Sequence, residues 1–135
     1  METARKKEPL IFIVEDDAEM GGALQGLLAY AGFTTRLFQD PLVATRAFTD
    51  SHLKPDLLIT DFKMPSMDGM ELIRKCKALR PELKSISISG SLAEDLRKHY
   101  IVHPDKFLPK PFTIETLIAT IDELLGKDFP RHRLP

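Results

Sequence analysis

Cysteine is almost missing from this chain: Cys76 stands alone among 135 residues. No disulfide can close within it, so a reducing cytoplasm is the expected compartment. Cys76 falls in a helical pattern beside apolar positions, which marks it as a small core residue rather than a nucleophile. Long hydrophobic runs are missing too. Residues 10–14 are apolar but far too short for a membrane span or the core of a signal peptide. Nor is there a surplus of one charge: the formal net charge is -1. No global field draws the chain to nucleic acid or to an anionic membrane, and neither is expected as a direct partner. The basic groups Arg5, Lys6, Lys7 and Arg131, His132, Arg133 sit near the two ends and read as solvated termini. Internal repeats and low-complexity segments are also lacking.

What remains has the balance of a globular domain, 43% hydrophobic and 29% charged, at a length that buries a core without staples. Leu10-Ile-Phe-Ile-Val14 reads as a buried strand ended by Glu15-Asp16-Asp17. A helix follows with Leu24, Leu27, Leu28 and Ala31 on one face and Gly32 as its stop. Residues 33–38 form a second strand. Asp40-Pro41 then caps and opens a short helix. Residues 56–60 form a third strand, followed by a loop from Asp61 to Gly69. The next helix faces Met70, Ile73, Cys76 (or Lys77) and Leu79 inward. Ile86 and Ile88 mark a fourth strand, diluted by Ser85, Ser87 and Ser89. A weak helix is expected over residues 92–99, then a fifth strand at Phe107-Leu108. The last helix runs over residues 113–125, with Ile114, Leu117, Ile118, Ile121, Leu124 and Leu125 as its stripe and Gly126 as its end. Strict alternation with short connections implies parallel strands joined by right-handed crossovers.

The reactive side chains fall at strand ends. Glu15 and Asp16 follow the first strand, Asp61 the third, Ser89 ends the fourth, and Lys110 follows the fifth. In a parallel sheet these ends share one edge, and ligands bind there where the strand order reverses. In the doubly wound order 2-1-3-4-5 the reversal lies between the first and third strands. Crowded carboxylates need a cation, and their oxygens suit a hard ion such as Mg²⁺. Lys110 adds a fixed positive charge and Ser89 a hydroxyl donor. The set suits a phosphoryl group carried on Asp61 as an acyl phosphate. Taken singly the residues are plain: Ser89 is a strand-end serine, Phe107 a core aromatic, Asp17 a helix cap and Asp68 a turn or cap. Phe12, Phe33, Phe48 and Phe112 are assigned to packing, and His99 and His103 to no metal site.

At these positions the chain closely resembles the response-regulator receiver family. The matching stretches are Ile11-Phe-Ile-Val-Glu-Asp-Asp17, Leu57-Leu-Ile-Thr-Asp-Phe-Lys-Met-Pro-Ser-Met-Asp-Gly69, Ser87-Ile-Ser-Gly90 and Phe107-Leu-Pro-Lys-Pro-Phe-Thr113. The resemblance implies a flavodoxin-like α/β fold, a doubly wound five-stranded parallel sheet of order 2-1-3-4-5 with five helices. It implies residues 9–126 as the receiver domain, with tails at 1–8 and 127–135. Asp61 then matches the phosphorylated aspartate. Glu15 and Asp16 match the acidic pair that binds Mg²⁺ together with Asp61 and the backbone carbonyl of Lys63. Ser89 and Phe107 match the switch pair, and Lys110 the lysine followed by a cis-proline, here Pro111. The sequence departs from the family at Gly90, where alanine is common, and at Pro109, tolerable only on an edge strand.

The implied function is a phosphorylation-controlled binding module rather than an enzyme. A histidine kinase or histidine phosphotransfer protein supplies the phosphoryl group, and partner binding is switched. A phosphohydrolase of the haloacid dehalogenase type also uses an aspartate nucleophile, but it needs a second aspartate two residues later, where Lys63 stands. A pseudo-receiver that is never phosphorylated usually lacks one member of the set, which is complete here. Residues 127–135 carry no helix-turn-helix pattern, so no output domain is expected there.

Overall fold

The structure, a computed structural model, describes residues 8–50, 54–90 and 102–126. Five strands, β1 (Leu10–Val14), β2 (Thr34–Phe38), β3 (Leu57–Asp61), β4 (Lys84–Ser89) and β5 (Lys106–Pro109), form one parallel sheet of order β2-β1-β3-β4-β5. The described residues hold four helices: α1 (Ala18–Tyr30), α2 (Pro41–Asp50), α3 (Gly69–Leu79) and α4 (Ile114–Leu125). The helix expected over residues 92–99 lies outside the described residues.

The local signals act as their chemistry demands. Asp17 caps α1 by accepting from the Met20 N–H, and Asp68 caps α3 by accepting from the Glu71 N–H. Asp40 accepts from the Leu42 N–H at 2.8 Å as α2 begins, which satisfies a donor left free at a helix start. Gly32 (φ 98°) turns the chain out of α1, a conformation that costs glycine little. The Leu10 N–H donates to Asp56 Oδ2 at 2.9 Å, pinning the start of β1 to the turn before β3. Asp56 therefore stands just outside β3, which begins one residue later than the expected range and takes in Asp61.

Side chains alternate across the sheet and separate into two cores. Ile11, Ile13, Leu57, Ile59, Ile86 and Ile88 pack under α1 and α4 against Leu24, Leu28, Leu117 and Ile121. Phe12, Val14 and Leu58 pack under α2 and α3 against Phe48, Met70, Leu72, Ile73 and Cys76. Burial pushes the Cys76 thiol up to about 11, as expected of an inert core residue. Two expected core positions are corrected. Leu27 and Leu79 are about half exposed, because each lies at the margin of its helix's apolar stripe. Leu72, one turn before Cys76 on α3, is fully buried in place of Leu79.

Candidate functional site

The register carries the strand ends to a common edge. Val14, Thr60, Ser87 and Phe107 are successive partners across β1, β3, β4 and β5. The residues just beyond Val14 and Thr60 are Glu15 and Asp61, so the two carboxylates flank the place where the strand order reverses. Backbone bonds hold this edge. The Glu15 N–H donates to Phe38 O at 2.9 Å, the Phe62 N–H to Ile88 O at 2.9 Å, and the Lys110 N–H to Ser89 O at 2.8 Å.

Glu15, Asp16 and Asp61 each offer a carboxylate oxygen, and these lie within 4.8 Å of one another. Lys110 Nζ is 3.2 Å from Asp61 Oδ1. Glu15 is buried and Asp16 exposed, with Asp61 between them. Burial pushes the Glu15 carboxyl up to about 7, aided by the nearby Asp61 charge and a hydrogen bond with Asp16. The Asp17 N–H, 3.1 Å from Glu15 Oε2, and the Lys110 ammonium act the other way. Three hard oxygen donors with an excess of negative charge fit a divalent cation such as Mg²⁺.

The other expected residues are placed less closely. Ser89 is buried at the end of β4, facing the α2–α3 side by strand alternation. Lys63 is exposed on the loop after β3. Phe107 sits half-buried against the α2–α3 core. Lys110-Pro111 is a cis peptide bond, as the motif implied. Pro109 pairs only with β4, on the sheet edge where its missing N–H costs no ladder bond.

A model of the response regulator receiver domain matches residues 11–122. The chain belongs to that family. It is a receiver domain of the two-component type, and its relatives are regulators of that kind. It is 30% identical over 118 residues to the transcriptional regulatory protein RprY of Bacteroides fragilis (strain YCH46), covering 87% of this chain and 49% of that one. It is 29% identical to the DNA-binding transcriptional regulator NtrC of Escherichia coli (strain K12), covering 87% of this chain and 25% of the relative. The receiver thus spans about half of one curated relative and a quarter of the other. Among solved structures, a response regulator receiver domain protein (CheY-like) from Methanospirillum hungatei JF-1 superposes with a TM-score of 0.78 at 26% identity, covering 90% of this chain and 96% of that one.

Two supports of the receiver's acidic loop escaped the sequence reading. Gly69 opens α3 directly against β3: a Cβ there would stand 2.4 Å from the Asp61 carbonyl oxygen, and the Gly69 N–H donates to Phe62 O at 2.7 Å. The Thr60 hydroxyl donates to Asp61 O at 2.9 Å. A glycine after Asp68 was visible as a turn signal, but its close approach to the end of the preceding strand has no local signature.

Proposed function

We propose that this receiver takes a phosphoryl group onto Asp61 from a histidine kinase or histidine phosphotransfer protein, with Mg²⁺ bound by Glu15, Asp16, Asp61 and the carbonyl of Lys63. The observation that carries the reading is the Lys110 Nζ–Asp61 Oδ1 contact of 3.2 Å inside the carboxylate cluster. An Asp61 oxygen attacks phosphorus, the bond from phosphorus to the donor histidine nitrogen breaks, and the imidazole leaves. Bound Mg²⁺ supplies charge neutralisation for the phosphoryl oxygens. Lys110 pairs with Asp61 before transfer and holds a phosphoryl oxygen after it. The phosphoryl group carries roughly -1.5 to -2 charges, and because the carboxylate's own charge is consumed in the new bond the net change at Asp61 is about -1.

Ser89 then donates its hydroxyl to the new oxygens. Phe107 turns inward toward the small residues of β4, and the surface beside β5 changes its affinity for a downstream protein. Such a switch shifts an existing equilibrium only as far as the phosphoryl group bonds one state better. The domain, residues 9–126, is in this reading a cytoplasmic signalling module rather than an enzyme; among the described residues no helix is long and apolar enough to cross a membrane.

The test is intact mass after treatment with acetyl phosphate and Mg²⁺. One added phosphoryl group is expected in the wild type and none in Asp61→Asn. Equal labelling of the Asn variant sinks the assignment.

A further inference from the structure

The loop after β3 holds a sulfur that the transfer described above does not use. Met64 Sδ lies 3.9 Å from Thr60 Oγ1, and the same hydroxyl is 2.9 Å from the Asp61 carbonyl oxygen. A threonine hydroxyl has one proton to give. The carbonyl takes it, because a thioether is a weak acceptor. Thr60 is wholly buried. Met64 is half-buried against the α2–α3 core, between Lys63 and Pro65, which are both exposed. Solvent therefore reaches Met64, whereas Met67 and Met70 are buried. Met20 is open to solvent too, but it stands on α1, away from this loop in the chain.

Oxidation would reverse that order of acceptors. With hydrogen peroxide, the sulfur lone pair takes one peroxide oxygen and the O–O bond breaks. The other oxygen leaves as water with both hydrogens; sulfur is oxidised and peroxide reduced. The product is a polar sulfoxide whose oxygen is a far better acceptor than the thioether. The unbranched side chain is flexible, so an oxygen added from the solvent side turns toward Thr60. Projecting from the sulfur, it closes the gap to the range of an O–H···O bond. The Thr60 proton then goes to the sulfoxide, and the Asp61 carbonyl loses its donor. That carbonyl belongs to the peptide that joins Asp61 to Phe62.

We propose that Met64 is an oxidation site through which peroxide slows phosphoryl transfer to Asp61, with the Thr60 hydroxyl as the link. The inference rests on Asp61 being the phosphoacceptor. An in-line attack tolerates little misplacement of the attacking group, so a turned Asp61 peptide costs rate even with every side chain of the site intact. The change is reversible, because methionine sulfoxide is reduced enzymatically back to the thioether.

The whole chain is treated with hydrogen peroxide, and peptide mapping by mass locates the added oxygens. Labelling by acetyl phosphate with Mg²⁺ is then timed by intact mass, each protein against its own untreated sample. Treated wild type should carry oxygen on Met64 and label several-fold more slowly, and methionine sulfoxide reductases should restore the rate. Met64→Leu, which keeps the volume, should label at the same rate before and after treatment although Met20 is oxidised in it. Thr60→Val should still be oxidised at Met64 but should lose most of the slowing. The Phe62 amide resonance, which reports the Asp61 peptide without any phosphodonor, should move on oxidation in the wild type and stay in place in Thr60→Val. Slowing of Met64→Leu equal to that of the wild type overturns the proposal, because another methionine is then responsible. Equal slowing of Thr60→Val, an unmoved Phe62 resonance, or a Met64 that stays unoxidised while Met20 reacts overturns it as well, and each leaves the phosphoacceptor reading intact. Absence of labelling in untreated wild type sinks the phosphoacceptor reading, and the proposal with it.

Discussion

Under α1 and α4 the central strands present Ile11, Ile13, Leu57, Ile59, Ile86 and Ile88, every one buried and aliphatic. Under α2 and α3 the same strands present Phe12, Val14, Leu58, Thr60, Ser85, Ser87 and Ser89. One face is filled only with hydrocarbon. The other mixes rings and methionines with four buried hydroxyls. A buried hydroxyl costs stability unless it is bonded, so it is a poor choice for filling space. Thr60 donates to Asp61 O, and Ser85 Oγ lies 3.3 Å from Asp105 Oδ2. The difference teaches where the domain keeps its rigidity and where it gives some up. The aliphatic face holds the strands in register, while the mixed face runs up to Ser89 and across to Phe107, the two residues proposed to move.

The comparison breaks first on truncation. Ile59→Ala should cost about 2–5 kcal/mol, as loss of a buried branched side chain typically does. Thr60→Val, the next residue on the opposite face, should cost only about 1 kcal/mol, through the lost bond to Asp61 O. Urea unfolding of both variants checks the contrast. Equal losses would show that the two faces contribute alike to stability.

Gly69→Ala should come next. Its Cβ would meet the Asp61 carbonyl oxygen at 2.4 Å and Phe62 Cα at 3.2 Å, both backbone atoms with little freedom to retreat. Overpacking of this kind typically costs about 1–3 kcal/mol. Because the displaced group is the peptide of Asp61 itself, labelling by acetyl phosphate should slow as well as Tm fall. A lower Tm with unchanged labelling would mean that α3 yields and the acidic edge does not.

Much of this was legible in the residues, for identifiable reasons. β1 and β3 are buried on both faces, so Leu10-Ile-Phe-Ile-Val14 and Leu57-Leu-Ile announce themselves without knowledge of the fold. The acidic edge was legible because parallel topology alone brings strand ends together. The caps at Asp17 and Asp68 were legible because they act within three residues. Leu27 and Leu79 were misplaced because an apolar residue at the edge of a helical stripe reads the same whether or not a neighbour covers it. The Glu15 carboxyl near 7 and the approach of Gly69 to Asp61 were not legible at all. Both depend on how closely separate segments pack, which no spacing along the chain encodes.

The smallest effect sharpens the comparison most. Ser87 is wholly buried in β4, and its Oγ is the one buried side-chain polar atom among the described residues without a hydrogen-bond partner. An unpaired buried hydroxyl carries a desolvation penalty of about 1–3 kcal/mol. Ser87→Ala removes the penalty and leaves a void of only one oxygen, so the variant should be more stable by about 0.5–1 kcal/mol, a rise in Tm of a few degrees. Ser85→Ala, two residues earlier on the same face, should move the other way by about 1 kcal/mol, because its hydroxyl is bonded to Asp105. Ser87 lies between Thr60 and Phe107 in the register, so its small, unsatisfied side chain stands where an inward-turning Phe107 would need space. Ser87→Val occupies that space. Aromatic resonances of Phe107, followed as a beryllofluoride mimic is added, should respond in Ser87→Ala as in the wild type and respond less in Ser87→Val. If Ser87→Ala instead loses stability, its hydroxyl is bonded in solution, to a buried water for example, and the mixed face is better satisfied than its contacts indicate.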